Sequence, residues 1–329
     1  MRDYGFAFSC GIKKIADQAK KCLFDVMRQV LRLNYGRLPV KILCHLFDVK
    51  ILPIITYAAE CWSYGLGCSM KVMLERIHMR MCKWALGVGV STPNCVVLSE
   101  LGRVSIECVL KRKTIHWWKK MMSSDIGLMT ECVLVHRKVN TALYKYISTI
   151  LNDIEITESD IGHHSFSLLS QLCQEIDHDK IVADLEGKSK LVLYADICSG
   201  AVQSAPYLEA TRIPSHRIAV TKLRTPNHSL MIEKGRWRGV PKEQRLCKVC
   251  ECNEIEDEIH FLMECSAYRG LRQKLFDCAN CYFPGFLDLT KRAQYSILMS
   301  NALDPRLYIE LGYFVYNAFK TRAEREETN

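Results

Sequence analysis

The chain has 329 residues, 49% of them hydrophobic and 25% charged, with a formal net charge of +9. That mixture excludes a disordered chain and allows two or three compact units. No apolar run reaches the ~20 residues of a membrane span, and seventeen cysteines behind an N-terminus (MRDYGFAFSC) with no cleavable leader read as reduced thiols of an intracellular protein, in nucleus or cytoplasm. Lys and Arg outnumber Asp and Glu by 20 to 8 in residues 1–122 and by 9 to 2 in 211–245. Acids lead by 13 to 6 in 123–210 and by 13 to 10 in 246–329. Basic blocks of this kind suit a phosphate backbone, although most Lys and Arg simply solvate helix faces.

Taken in order, the chain reads as mainly α. Ile12, Ile15, Ala19, Cys22, Val26 and Val30 recur at helical spacing over 11–33, and residues 34–36, from Asn34 to Gly36, end the run. Pro39 opens a helix that buries Ile42, Leu43, Leu46 and Phe47, and Pro53 breaks or kinks it. A helix over 70–86 turns Leu74, Ile77, Met81 and Trp84 inward and stops at Gly87. Thr92 and Pro93 form an N-cap and first-turn pair for a short helix that ends at Gly102. The next helix, about 105–122, carries Lys111, Arg112, Lys113, Lys119 and Lys120 around Trp117 and Trp118, of which one is expected in the core and one is a candidate to stack on a base. Residues 123–210 form an acidic helical connector. Leu143, Tyr146, Ile147 and Ile150 line one of its helices, Leu168, Leu169, Leu172 and Ile176 another, and His163-His164 lie in a surface turn. Residues 271–329 return to apolar helix, with Ile309, Phe314 and Phe319 in the core and a fraying tail KTRAEREETN.

The densest chemistry lies in RLCKVCECNEIEDEIHFLMECSAYRG, residues 245–270. Cys247, Cys250, His260 and Cys265 stand as C-x2-C-x9-H-x4-C. Two cysteines two residues apart can aim both sulfurs at one point, and a His and a Cys about one helical turn apart complete a tetrahedron. Four protein ligands leave no open position, so the site is read as one structural Zn2+ and not a catalytic one. With seventeen cysteines the spacing also arises by chance. Cys278 and Cys281 repeat it, and Cys252 adds a spare thiol.

The run GRWRGVPKEQRLCKVCECNEIEDEIHFLMECSAYRGLR resembles the C-terminal CCHC segment of non-LTR (LINE-type) retrotransposon reverse transcriptases. It shares an Arg just before the first Cys (Arg245), acids before His-Phe-Leu (Glu256, Asp257, Glu258) and a Tyr after the last Cys (Tyr268). LRTPNHSLMIEKGRW, Leu223 to Trp237, is similar to the family's preceding segment. ILPIITYAAECW and Leu74 to Ile106 resemble its thumb region, with Ala58-Ala59 where Gly-Ser is common. The resemblance implies a thumb-like helical bundle (1–122), a helical connector (123–210), a basic arm with a small CCHC zinc module (211–270) and C-terminal helices (271–329). It also implies RNA and DNA as partners, held mainly by their backbones, with the polymerase palm missing. Phosphate-contact candidates are Lys111, Arg112 and Lys113 on the thumb-like helix and Arg236, Arg238 and Arg245 before the zinc ligands.

Tyr194-Ala195-Asp196 looks like the family's catalytic box, but residue 197 is Ile, so the carboxylate doublet that holds two metal ions is broken. Asp196 is therefore given no catalytic role, and the chain is expected to be a non-enzymatic fragment of an RNA-directed DNA polymerase. The alternative is an inactive structural or protein-interaction remnant in which zinc only staples a helical array.

Overall fold

The computed structural model describes the backbone of residues 2–32, 38–198 and 202–328, and side chains over 11–32, 38–198 and 202–326. The expected helix stop at residues 34–36 lies outside the described residues. The helices are α1 (Arg2–Arg32), α2 (Val40–Leu46), α3 (Leu52–Ile55), α4 (Ala59–Trp62), α5 (Cys68–Leu86) and α6 (Asn94–Leu101). Then follow α7 (Ile106–Met122), α8 (Gly127–Val139), α9 (Ala142–Asp153), α10 (Phe166–Glu186), α11 (Val192–Cys198) and α12 (Tyr207–Ala210). The series closes with α13 (Pro214–Arg224), α14 (Met231–Trp237), α15 (Arg269–Tyr282), α16 (Lys291–Met299) and α17 (Pro305–Thr328). The fold is thus mainly α as expected. Extended pairing among the described residues is confined to one isolated antiparallel bridge, Leu246–Ile255. No single helix among them is long and apolar enough to cross a membrane. The chain divides into two compact units that interleave in sequence: Met1–Leu33, Cys44–Met81 and Arg103–Ile181 form one, and Asn34–Leu43, Cys82–Gly102 and Val182–Asn329 the other.

In the first unit α1 buries Ile12, Ala16, Ala19, Leu23 and Val30 and packs on α3 and on a π-helical turn, Phe47–Ile51. Ile15, Cys22 and Val26 are only half-buried, because the small Ala16 and Ala19 let the neighbouring backbone approach along their own line. Ile42 is exposed and Val40 is buried in its place. A second core surrounds Trp118, with Ile115 from α7, Leu143, Ile147 and Ile150 from α9, and Leu169 and Cys173 from α10. Each such fully buried side chain contributes about 1.5–3 kcal/mol. Trp118 is the core tryptophan of its pair and donates its indole N–H to Glu158 at 3.1 Å, while Trp117 is half-buried against the same core. The N-terminus of α7 is fixed by two carboxylates: Asp177 accepts from Ser105 N and Oγ (2.7 and 2.6 Å), and Glu75 from Ile106 N (2.8 Å). Negative charge is favourable at that end of a helix. In contrast, α8 buries Val133 and leaves Leu128, Leu134, Val135 and Val139 exposed.

The second unit is built on α17, against which α12, α13, α15 and α16 pack. Every residue of α6 from Cys95 to Leu101 is buried. Thr92 does not cap it; Pro93 holds the cap position without a side-chain bond, because Thr92 is drawn into a turn by its own N–H to Gly89 O (3.1 Å). The helix ends at Gly102, which has a φ of +60° and where a Cβ would stand 2.4 Å from Ser204 N, so that only glycine fits. Buried Glu100 accepts from Arg224 Nε and Nη2 (3.0 and 2.8 Å) and from Tyr207 OH (2.6 Å), joining α6, α12 and α13. The tail does not fray where expected: α17 continues to Thr328 and buries Arg322 to 1% exposure. Phe314 is buried, whereas Ile309 lies on the open face of α17.

Candidate metal centre

The segment after α14 forms a small hairpin. Cys247 N donates to Glu254 O (2.8 Å) and Glu256 N to Arg245 O (2.9 Å), and Asn253 takes the left-handed conformation (φ 52°) that closes the loop. The hairpin presents Cys247 and Cys250. His260 opens a π-helical turn, His260–Glu264, whose first carbonyl brings Cys265 back toward it (Cys265 N to His260 O, 2.8 Å). The ligand atoms of Cys247, Cys250, His260 and Cys265 lie within 4.8 Å of one another. Cys250 Sγ is 3.4 Å from His260 Nε2, and Cys247 Sγ is 4.0 Å from Cys265 Sγ. Zinc bonded at about 2.3 Å to sulfur and about 2.0–2.1 Å to nitrogen needs tetrahedron edges of about 3.5–3.8 Å. The four residues the spacing selected therefore fit one metal ion. Cys252 is exposed, with its sulfur 3.7 Å from Ser266 Oγ, and it lies outside this group, as do Cys278 and Cys281 on α15.

The electrostatics favour thiolate at Cys247 and the neutral thiol at Cys250 and Cys265. The hydrogen bond from Cys265 pulls the Cys247 thiol down to about 3 against its burial, with His260 assisting. The same bond pushes Cys265 up, and burial raises Cys250 to about 11. Burial works against charge on His260, but its contact with Cys247 outweighs it and raises the imidazole. Protons thus crowd around one buried thiolate, the place a cation takes when it binds and displaces them. His260 Nδ1 is buried without a hydrogen-bond partner, 3.9 Å from Glu264 Oε2.

The three acids ahead of His260 each have a separate task. Glu256, 1% exposed, receives Arg322 Nε and Nη2 (2.7 and 2.8 Å) and Met231 N (2.7 Å), tying the hairpin to α14 and α17. Asp257 caps the π turn by accepting from His260 N (2.8 Å). Glu258 meets His228 at 3.0 Å. From the other side Arg272 donates to the carbonyls of Leu262 and Cys265 (both 2.8 Å), satisfying groups a helix end leaves unpaired. Arg322 and Arg272 are not legible as part of the site in the sequence, because their partners lie 66 and up to 11 residues away; the only signal for either is an Arg in an otherwise apolar-periodic helix.

The phosphate-contact candidates separate into two kinds. Lys111 is held by Asp153 at 2.7 Å, and Lys113 donates to Thr56 O at 3.1 Å while staying exposed. Arg112 is half-buried. Arg245 is structural: its guanidinium donates to Val240 O and Ile232 O (2.9 and 3.1 Å), and its stem lies over Gly235, where a Cβ would sit 2.6 Å from Arg245 Cγ. That contact explains the Gly of the Gly-Arg-Trp run. Arg236 faces Glu233 at 2.6 Å, while Arg238 and Trp237 are exposed. Asp196 of the Tyr-Ala-Asp sequence sits on α11 and pairs with Arg292 at 2.5 Å. Comparison of the chain with protein families, with curated proteins and with solved structures finds no match.

Proposed function

We propose that this chain is a non-catalytic, nucleic-acid-binding C-terminal piece of a non-LTR retrotransposon reverse transcriptase, with one structural zinc ion holding its binding module in shape. The observation that carries the reading is the closed set Cys247, Cys250, His260 and Cys265, within 4.8 Å of one another, next to a segment with nine basic and two acidic residues over 211–245. Zinc contributes no reaction here; it fixes the hairpin, and exposed cations such as Arg238 and Lys113 hold RNA or DNA by phosphate. The broken carboxylate doublet at Asp196-Ile197 and the use of Asp196 in an ion pair support the absence of polymerase chemistry.

A second reading, a zinc-stapled structural remnant, draws on the internal use of Arg245 and Lys111. The pairing that favours it most, Arg236, Arg238 and Arg245 against Glu254, Glu256 and Glu258, is not the close one: Glu256 is taken by Arg322 and Glu258 by His228, with Arg236 acting on Glu258 only as a secondary charge beyond its own pair with Glu233. Titration with structured RNA over a salt series separates the two. Nucleic-acid binding gives a log–log salt slope of about −0.7 to −0.9 per phosphate contacted, reduced by Arg238→Glu. No binding at low salt refutes the proposal.

A further inference from the structure

Beside the metal module, still within the second unit, lies a cleft of about 750 Å³ walled by α13 and α17 and closed by the 227–229 turn and α14. Its size is that of a ligand cleft, for which about 300–1,000 Å³ is usual. Its lining is of two kinds. Ile218, Tyr316 and Phe319 give an apolar, partly aromatic surface, and Lys222, Lys234 and Lys320 stand around it. No carboxylate is among the lining residues.

The aromatics are held in place. Phe319 stacks on Phe261 at 4.6 Å, and Phe261 adjoins His260 in the chain, so the metal module backs that ring. His216 lies 5.0 Å from the Tyr316 ring. Lys234 is positioned by Glu326 (2.9 Å), and Lys320 is 4.0 Å from Glu324 on the exposed side of α17. Lys222, on the opposite wall, is exposed and has no ion-pair partner among the described residues.

We propose that this cleft takes an unpaired nucleic-acid strand, its bases against Tyr316 and Phe319 and its phosphates on Lys222 and Lys320. The proposal rests on the nucleic-acid reading above and specifies the strand it takes. Aromatic faces accept a base only when it is unstacked from a partner strand, and flanking lysines attract the backbone phosphates without reading sequence. A duplex presents phosphates alone and leaves the rings unused.

The test uses the whole zinc-loaded chain and two labelled RNAs of equal length, a single-stranded oligouridine and a blunt duplex, with zinc content and thermal melting as folding controls. Expected is tighter binding of the single strand. Tyr316→Ala weakens it roughly tenfold, the Lys222→Glu, Lys320→Glu pair weakens it further, and duplex binding changes little with Tyr316→Ala. Photocrosslinking the unaltered chain to 4-thiouridine RNA places the adduct in the peptide containing Tyr316, which does not depend on any variant folding. If single-strand binding is unchanged in the cleft variants but falls with Arg238→Glu, the cleft assignment is wrong while the nucleic-acid reading stands. If neither RNA binds, both fail.

Discussion

The Trp118 core and the metal module hold themselves together by different means. Around Trp118 the interior is apolar, its members come from four helices (α7 to α10), and its polar atoms are satisfied at the margin, as in the indole bond to Glu158. In the module the hairpin itself buries only Cys247 and Val249, the π-helical turn adds Phe261, Leu262 and Met263, and buried polar groups complete the interior: Glu256 with Arg322, Glu258 with His228, and three sulfurs with one imidazole. Apolar burial degrades gradually as atoms are removed, whereas a buried charge left without its partner is destabilising at once. A small segment that cannot bury enough apolar surface must use coordination and ion pairing.

The sharpest way to break this contrast is to remove the metal. Structural zinc sites carry about 10–16 kcal/mol of binding free energy at neutral pH. Chelation, Cys247→Ser or His260→Ala should therefore abolish one equivalent of bound metal and release amide-exchange protection over 245–270, leaving α7 and α9 protected. Equal loss of protection in both places would show that the two regions do not differ as described. Next in size, Glu256→Ala should cost up to about 3–5 kcal/mol, because it leaves buried Arg322 with only the partly exposed Glu326 as its partner; a double change of Glu256 and Arg322 to apolar residues should recover much of it. In the Trp118 core, Trp118→Ala should also cost about 3–5 kcal/mol, but without altering metal content. Denaturant unfolding with metal analysis distinguishes the two outcomes.

The smallest effect concerns Glu326. Burial alone would raise its carboxyl, but hydrogen bonds from Lys234 and Arg322 outweigh this and hold it below the ordinary glutamate value. Its folded value being depressed, its contribution is complete above the unfolded pKa, about 4.3, and disappears as pH falls through the folded value. Glu326→Gln should thus lower stability by about 0.5–1 kcal/mol at pH 7, and the difference from the parent should close in acid. A difference that does not shrink at all as the pH is lowered through the acid range would assign the loss to packing and not to charge.

Local pattern carried much of this molecule. The mainly helical class, the stops at Gly87 and Gly102, a core tryptophan in the Trp117-Trp118 pair and the four candidate metal ligands all follow from residue type and spacing over at most about twenty positions. These are properties of a single helix turn, a left-handed glycine or a coordination tetrahedron, and they need no distant partner. Where distant partners decided the outcome, pattern alone fell short. Arg245 reads as an exposed phosphate contact until Gly235 and two carbonyls claim it. The terminal helix reads as a fraying tail until Arg322 meets Glu256 across 66 residues. Sequence thus determined which residues form the candidate metal cluster, because their spacing is local. Only the tertiary structure decided which cations stay at the surface and which hold the fold together, because burying a charge depends on an opposite charge brought in from elsewhere in the chain.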